Sequence, residues 1–350
     1  MTTSSPSLTP GKDQNPHIAI RPAWLALHSE PALEPALPII DAHHHLWEFP
    51  GRVYRSSDLL GDAASGHNLR ATVFIECQTH YRTEGPEAFK SVGEVEFVMN
   101  EVRLAKASGA ATDVAVAIVA NADMRLGAAV APVLNALIAA SAGRVHAIRN
   151  IAVWHADRSF KASAANPPRE LMLDAGFQEG VRQLAPLNLT FDAWAVHPQI
   201  DEVCSLAAAC PDTKMVLNHV GGPLGVGPYR GRREEVFQTW RDGMRRLARH
   251  GNVSVKLGGF GMTLFGFDFY ERPRPPTSED LATAFRPYVE ACIEAFGVNR
   301  CMFESNFPVD KGNFSYGVLW NAFKRVAGGA SASEKAALFH DTAAGFYRIP

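Results

Sequence analysis

The 350-residue sequence has no surplus of either charge: 34 Lys and Arg stand against 36 Asp and Glu, a formal charge of −2. Without a basic excess there is nothing to neutralise a phosphate backbone, and nucleic acid is not expected as a partner. No C-x-x-C pair occurs among the five cysteines (Cys77, Cys204, Cys210, Cys292, Cys301), most of which sit in apolar runs. They read as reduced, buried thiols of a cytoplasmic protein. Met1 to Pro16 carries no apolar segment of the kind a signal peptide needs. The longest apolar stretch, Leu126 to Gly143, is mostly alanine and is interrupted by Pro132 and Asn135. A bilayer-spanning helix needs about 20 strongly apolar residues, so this one reads as a helix on a core and no membrane partner is expected. Also missing is a G-x-G-x-x-G turn after a strand, which argues against a doubly wound dinucleotide fold.

What is present is a globular composition, 47% hydrophobic and 20% charged, on a chain long enough for two ordinary domains or one large one. Residues 1–37 hold six of the 23 prolines and little periodicity, and read as an N-terminal extended arm. From there to residue 350 one unit recurs, a short apolar strand followed by a polar loop and an amphipathic helix. Strands are expected at 38–42, 71–76, 113–119, 145–151, 189–195, 214–218, 252–257 and 300–304. Eight strands with helical crossovers are the number that closes a (β/α)8 TIM barrel. One helix is legible in detail. Thr277 or Ser278 offers an N-cap, an apolar face follows from Leu281 to Phe296, and Gly297 stands where a left-handed C-terminal cap is expected.

Three consecutive histidines, His43, His44 and His45, are the unusual feature, since 13 histidines in 350 residues predict roughly 0.02 such triplets by chance. In an extended segment His43 and His45 share a face with Asp41, and His44 takes the other. Two imidazoles at i and i+2 on a strand end can converge on one divalent ion, zinc being the best match to such donors. The plain alternative is a pair of histidines capping loop hydrogen bonds at a barrel mouth.

The motifs D-A-H-H-H-L-W (41–47), V-F-I-E-C-Q (73–78), L-N-H-V-G-G-P (217–223) and C-M-F-E-S-N-F-P-V-D (301–310) resemble the amidohydrolase superfamily. More narrowly they resemble its amidohydrolase-related group, which includes sugar-acid and dicarboxylate lactonases. Further matches at 85–94, 148–150, 191–199 and 253–259 extend the likeness over roughly residues 38–349. The resemblance implies a site at the C-terminal ends of the strands. It implies His219 as a third metal ligand beside His43 and His45, and His197 as a further active-site histidine. It also implies that Arg149 holds a substrate carboxylate, for which a forked guanidinium is suited.

Strand eight departs from the pattern. Where the superfamily usually has aspartate this chain has Asn306, and an amide can neither act as a base nor serve as a good zinc ligand. Glu304 and Asp310 are the carboxylates that could take over, with Glu76 facing the mouth if Phe74 points inward. The alternative for Glu304 is an ion pair with Lys256, which alternation places inside the barrel. Arg82 and His155 are loop candidates for substrate binding. The loop from Gly258 to Arg274, rich in phenylalanine, is expected either to cover the site or to pack on a neighbouring subunit of a homo-oligomer.

The reading is a hydrolase that opens a small carboxylated or sugar-acid lactone by water attack. Its divalent metal is zinc, or the same histidines and Asn306 stabilise the oxyanion without one. The rivals are a metal-dependent decarboxylase of an aromatic or enoic acid and a non-catalytic barrel that only binds a small molecule.

Overall fold

The computed structural model describes residues 17–157, 165 and 167–350. Its eight-stranded parallel sheet runs in chain order. The strands are β1 (Pro38–His44), β2 (Asn68–Ile75), β3 (Asp113–Asn121), β4 (Val145–Ile151), β5 (Thr190–Trp194), β6 (Met215–Leu217), β7 (Val253–Leu257) and β8 (Cys301–Phe303). Each is followed by a helix: α1 (Ser56–Ala63), α2 (Val92–Ala107), α3 (Ala131–Ala140), α4 (Ala175–Arg182), α5 (Ile200–Ala209), α6 (Arg233–Leu247), α7 (Ser278–Phe296) and α8 (Tyr316–Val326). The seam between β8 and β1 closes through two backbone bonds, Asn306 N–H to His43 O at 2.8 Å and His45 N–H to Phe307 O at 2.8 Å. The expected TIM barrel is therefore the observed fold, and the triplet histidines sit on its closing seam. No described helix is long and apolar enough to cross a membrane.

The alternation of side chains sorts the core into two layers. Val73, Ile75, Ala117, Val119, Ala147, Val216 and Met302 fill the barrel interior. Phe74, Ile118, Ile148, Phe191, Met215, Leu217, Val253, Val255 and Phe303 pack outward against the helices. Small inward residues such as Ala117 and Ala147 leave room for large polar side chains in the upper layers. The barrel floor is closed by the helix Thr342–Tyr347, whose Phe346 and Tyr347 join the interior cluster.

The helix beginning at Ser278 has the expected cap. Thr277 Oγ1 accepts from Asp280 N–H, and Asp280 Oδ2 accepts from Thr277 N–H, a reciprocal box worth about 1 kcal/mol. Gly297 differs from expectation: at φ 76° and ψ 155° it is not a left-handed helical cap but a conformation open essentially to glycine alone. The alanine-rich stretch yields the ten-residue α3 after 3-10 turns over Met124–Val130, and α3 has Pro132 in its first turn and buries Val133, Leu134 and Leu137.

Of the N-terminal arm, residues 1–16 lie outside the described residues. Residues 17–37 are not simply extended: Pro22–Leu25 forms one helical turn that buries Trp24 and Leu25. Farther along, Glu30 accepts from Ser278 N–H at 2.8 Å and Asn321 Nδ2 at 3.0 Å, tying the arm to α7 and α8. A short hairpin absent from the sequence reading, Trp47–Phe49 against Arg52–Tyr54, follows β1.

Candidate active site

The histidines reach the barrel mouth through a break in β1. Ile40 and Ala42 face the interior, so regular alternation would turn His43 outward. Instead the register with β2 shifts between Asp41 and His44, and Asp41 Oδ1 accepts from His43 N–H at 3.2 Å. His43 and His45 consequently point inward. Asp41 does not share their face. It accepts from Ser305 N–H at 2.8 Å and from the Tyr316 hydroxyl on α8 at 3.0 Å, holding the seam from outside. Burial pushes its carboxyl up to about 6. His44 lies on the outer side against Phe74.

His219 also arrives by a route that alternation did not foresee. Met215 and Leu217 pack outward, which would carry His219 outward with them. The chain leaves β6 with φ of 54° at His219 and 46° at Val220, and this strained turn aims the imidazole at the mouth. Its Nδ1–H donates to Glu304 Oε1 at 2.7 Å, and its backbone N–H donates to the same oxygen at 3.0 Å. Two glycines make space for the pair. A Cβ on Gly259 would lie 2.4 Å from His219 Nδ1, and one on Gly258 would lie 2.5 Å from Glu304 Cγ.

Glu304 is therefore not the partner of Lys256. Lys256 Nζ donates to Asp192 Oδ2 at 2.7 Å, and Asp192 also accepts from Asn218 Nδ2 at 3.1 Å and the Tyr347 hydroxyl at 2.9 Å. All three donors converge in a fully buried layer beneath the histidines, where an unpaired charge would be costly. The Lys256 ammonium stands 3.4 Å from His43 Nδ1, and Glu304 Oε2 stands 2.9 Å from the same atom. Burial, with the charge of Lys256, holds the His43 imidazole well below its usual range. Burial and Arg149 do the same to His45, and burial lowers His219 against the pull of Glu304. All three are neutral at pH 7.

The cavity above them, about 220 Å³, is lined by His45, His219, Asn306 and Arg149, with Trp47, Phe49, Trp194, Met262 and Leu264 as its apolar wall. His17 from the arm, Arg52 from the hairpin, and Cys77 and Gln78 after β2 complete much of the rim. Burial pushes the Cys77 thiol well above its usual range, which disfavours its thiolate. Arg149 is fixed by Glu76: its Nε donates to Glu76 Oε1 at 2.7 Å and its NH2 to the Glu76 carbonyl. Phe74 packs outward, and Glu76 is a fully buried support for Arg149, absent from the cavity lining. Glu94, which the sequence reading did not single out, shapes the adjacent turn by accepting from Cys77 and Thr79 N–H at 2.9 and 3.0 Å. Burial and the charge of Glu76 push it up to about 8.

Besides His43 and Glu76, five sequence candidates are not brought to the cavity lining. Asp310 is buried behind Asn306, accepting from Asn306 Nδ2 at 2.8 Å and Gly261 N–H at 2.8 Å, and burial raises its carboxyl well above the usual range. His197 accepts at Nδ1 from Leu224 N–H at 3.2 Å and packs edge-on against Tyr229. His155 shares a 3.0 Å hydrogen bond with that tyrosine's hydroxyl. Arg82 is on the surface, paired with Glu96. Glu304 itself is wholly buried, one hydrogen bond behind the lining. The loop expected to cover the site does contribute Met262 and Leu264.

The donor chemistry fits a divalent ion. His45 donates its Nδ1–H to Ile75 O at 2.8 Å, which leaves the lone pair on Nε2. His43 Nε2 lies 3.2 Å from His45 Nε2, about the spacing of two nitrogens on one zinc with bonds of roughly 2.1 Å. His43, His219 and Glu304 also bring ligand atoms within 4.8 Å of one another. On the Nδ1 side of His43, however, the Lys256 ammonium opposes a cation, and Glu304 Oε1 is already filled by two donors. The Nε2 side, facing His45, is the favourable one.

An amidohydrolase model matches residues 40–349 of this sequence. The chain belongs to the amidohydrolase family. It is 42% identical over 173 residues to protein y4mH of Sinorhizobium fredii, a match covering 49% of this chain and 52% of that protein. It is 29% identical over 183 residues to L-fucono-1,5-lactonase of Burkholderia multivorans, covering 52% of this chain and 59% of the lactonase. The chain thus spans between half and three fifths of the curated relatives it matches. The crystal structure of a Burkholderia multivorans amidohydrolase with bound HEPES superposes with a TM-score of 0.67 at 25% identity, covering 89% of this chain and 99% of that one.

Proposed function

We propose that this amidohydrolase opens a small carboxylated lactone by water attack, with His219 as the proton acceptor. The observation that carries the reading is the Glu304–His219 pair at the edge of a cavity cornered by Arg149. Among the described residues no Asp or Glu lines that cavity, and there an imidazole is the group able to take a proton. His219 donates its Nδ1–H to Glu304 and so presents the basic Nε2 lone pair, and Glu304 stabilises the imidazolium that forms. The likeness to L-fucono-1,5-lactonase supports a lactone as the substrate class.

The lactone carboxylate pairs with the Arg149 fork, whose orientation Glu76 sets. The ring lies against Trp47 and Trp194. Water oxygen adds to the ring carbonyl while His219 Nε2 takes its proton. The ring C–O bond then breaks, and His219 returns the proton to the departing alkoxide, giving a hydroxy acid. Asn306, held by Asp310, presents its amide at the lining in place of a carboxylate. His43 and His45 would hold a divalent ion through Nε2, and such an ion would polarise the carbonyl or lower a water's pKa toward about 7.

The test is a panel of sugar-acid lactones, carboxylated lactones and phenolic acids, followed by acid release and carbon dioxide evolution. Stoichiometric acid release from a lactone supports the reading. Carbon dioxide from an acid lacking an ester replaces it with a decarboxylase. Thermal stabilisation without turnover replaces it with a binding barrel.

A further inference from the structure

The family match begins at residue 40, yet one residue lining the cavity comes from well before it. His17 of the arm shares the lining with His45, Arg149, His219 and Asn306, and its ring packs edge-on against Trp47 at 5.6 Å. The position is built rather than incidental. Ile18 lies over Gly312, where a Cβ would come within 2.7 Å of Ile18 Cβ. Arg21 donates to the Tyr270 carbonyl, and Trp24 Nε1 donates to Arg272 O at 3.0 Å. Those anchors belong to the loops after β7 and β8. The same loops supply Met262, Leu264, Asn306 and Val309 to the cavity, and they are tied together by Tyr270 N–H to Asn313 Oδ1 at 2.8 Å and Asn313 Nδ2 to Gly261 O at 2.6 Å.

We propose that His17 contacts the substrate of this site, so that the arm completes the cavity and helps select which carboxylate ligand it accepts. This rests on the cavity being the active site, not on which reaction occurs there. Burial and the nearby Arg52 charge lower the His17 imidazole to about 4. It is therefore neutral at pH 7 and offers a directional hydrogen bond, while Arg52 and Arg149 supply the positive charge.

The experiment compares wild type, His17→Ala and His17→Gln. Readouts are KM and kcat on the best lactone of the panel, the affinity for 4-hydroxybenzoate by calorimetry, and the melting temperature. His17→Ala is expected to raise KM and weaken 4-hydroxybenzoate about 5- to 10-fold, with kcat within about twofold and the melting temperature unchanged. His17→Gln, which keeps a neutral donor, is expected to recover most of the loss. Wild-type values in His17→Ala for both KM and 4-hydroxybenzoate affinity overturn the proposal. So does a wild-type protein that neither turns over a lactone nor binds 4-hydroxybenzoate. A wild type that hydrolyses no lactone, but binds 4-hydroxybenzoate more tightly than His17→Ala does, upholds the contact and removes the lactonase reading alone.

Discussion

Glu304 Oε1 receives two hydrogen bonds from a single residue, the imidazole Nδ1–H of His219 at 2.7 Å and its backbone N–H at 3.0 Å. The carboxylate thus fixes both the tautomer and the position of the ring. In Glu304→Gln the amide can turn its NH2 toward Nδ1 and place the lone pair on the wrong nitrogen. The kcat for lactone opening is expected to fall about 10²- to 10⁴-fold, with KM changed less than about threefold. Steady-state kinetics beside a melting curve decides this, and a variant with unaltered kcat removes Glu304 from the mechanism.

The Arg149–Glu76 pair predicts a substrate-dependent effect. Arg149→Lys loses the planar fork, and KM for a carboxylated lactone should rise at least about tenfold while a neutral lactone is little affected. Glu76→Gln should shift KM in the same direction through misplacement of the guanidinium. Equal losses on charged and neutral lactones would show that Arg149 only supports the fold.

Lys256 and Asp192 predict a stability effect instead. Lys256→Met leaves a fully buried carboxylate with only Asn218 and Tyr347 as donors, and unfolding free energy should drop by about 3–5 kcal/mol. Adding Asp192→Asn should return part of that loss, because it removes the uncompensated charge. Urea unfolding of the two single variants and the double variant measures this coupling.

Metal content separates the histidines. His43→Gln and His45→Gln should each weaken zinc binding by about 100-fold or more, since the two Nε2 atoms share the ion. His219→Gln should retain zinc and lose kcat. Elemental analysis after dialysis reads the difference, and loss of zinc from all three variants would move His219 from proton acceptor to ligand.

Glu30 ties the arm to α7 and α8. Hydrogen bonds from Ser278, His28 and Asn321 outweigh burial and hold its carboxyl down to about 2. A lowered carboxyl contributes its stability fully above the ordinary value near 4.5 and loses it as pH falls toward 2. Hydrogen exchange of the arm amides should accelerate through that window. In Glu30→Gln the arm should exchange faster already at pH 7, with no further acid step from this residue. An acid profile identical in wild type and variant contradicts the assignment.

Much of the fold was legible before any coordinates. Short apolar runs separated by helical periodicity marked all eight strands, because parallel strands buried on both faces read as near-continuous apolar segments. Residues that reach the cavity were legible mainly where they end a strand, as with His45 and Arg149. Loop candidates Arg82 and His155 were not, nor was His197, because the direction of each depends on a turn with no sequence period. Glu94 and His17 escaped notice because their neighbours, the turn after β2 and Trp47, lie on other segments of the chain.

From the sequence alone came the barrel and the histidine strand, both properties of local pattern or residue identity, while the resemblance alone marked Asn306 as standing where an aspartate is expected. Tertiary structure decided the direction and partner of each charged group. The register shift after Asp41 turns His43 and His45 inward, and left-handed backbone at His219 does the same from β6. It is the barrel's closure that gives Lys256 to Asp192 and Glu304 to His219. Alternation predicts a face only while a strand stays regular, and pairing of buried charges depends on distances set by distant segments, so neither could be read from spacing along the chain.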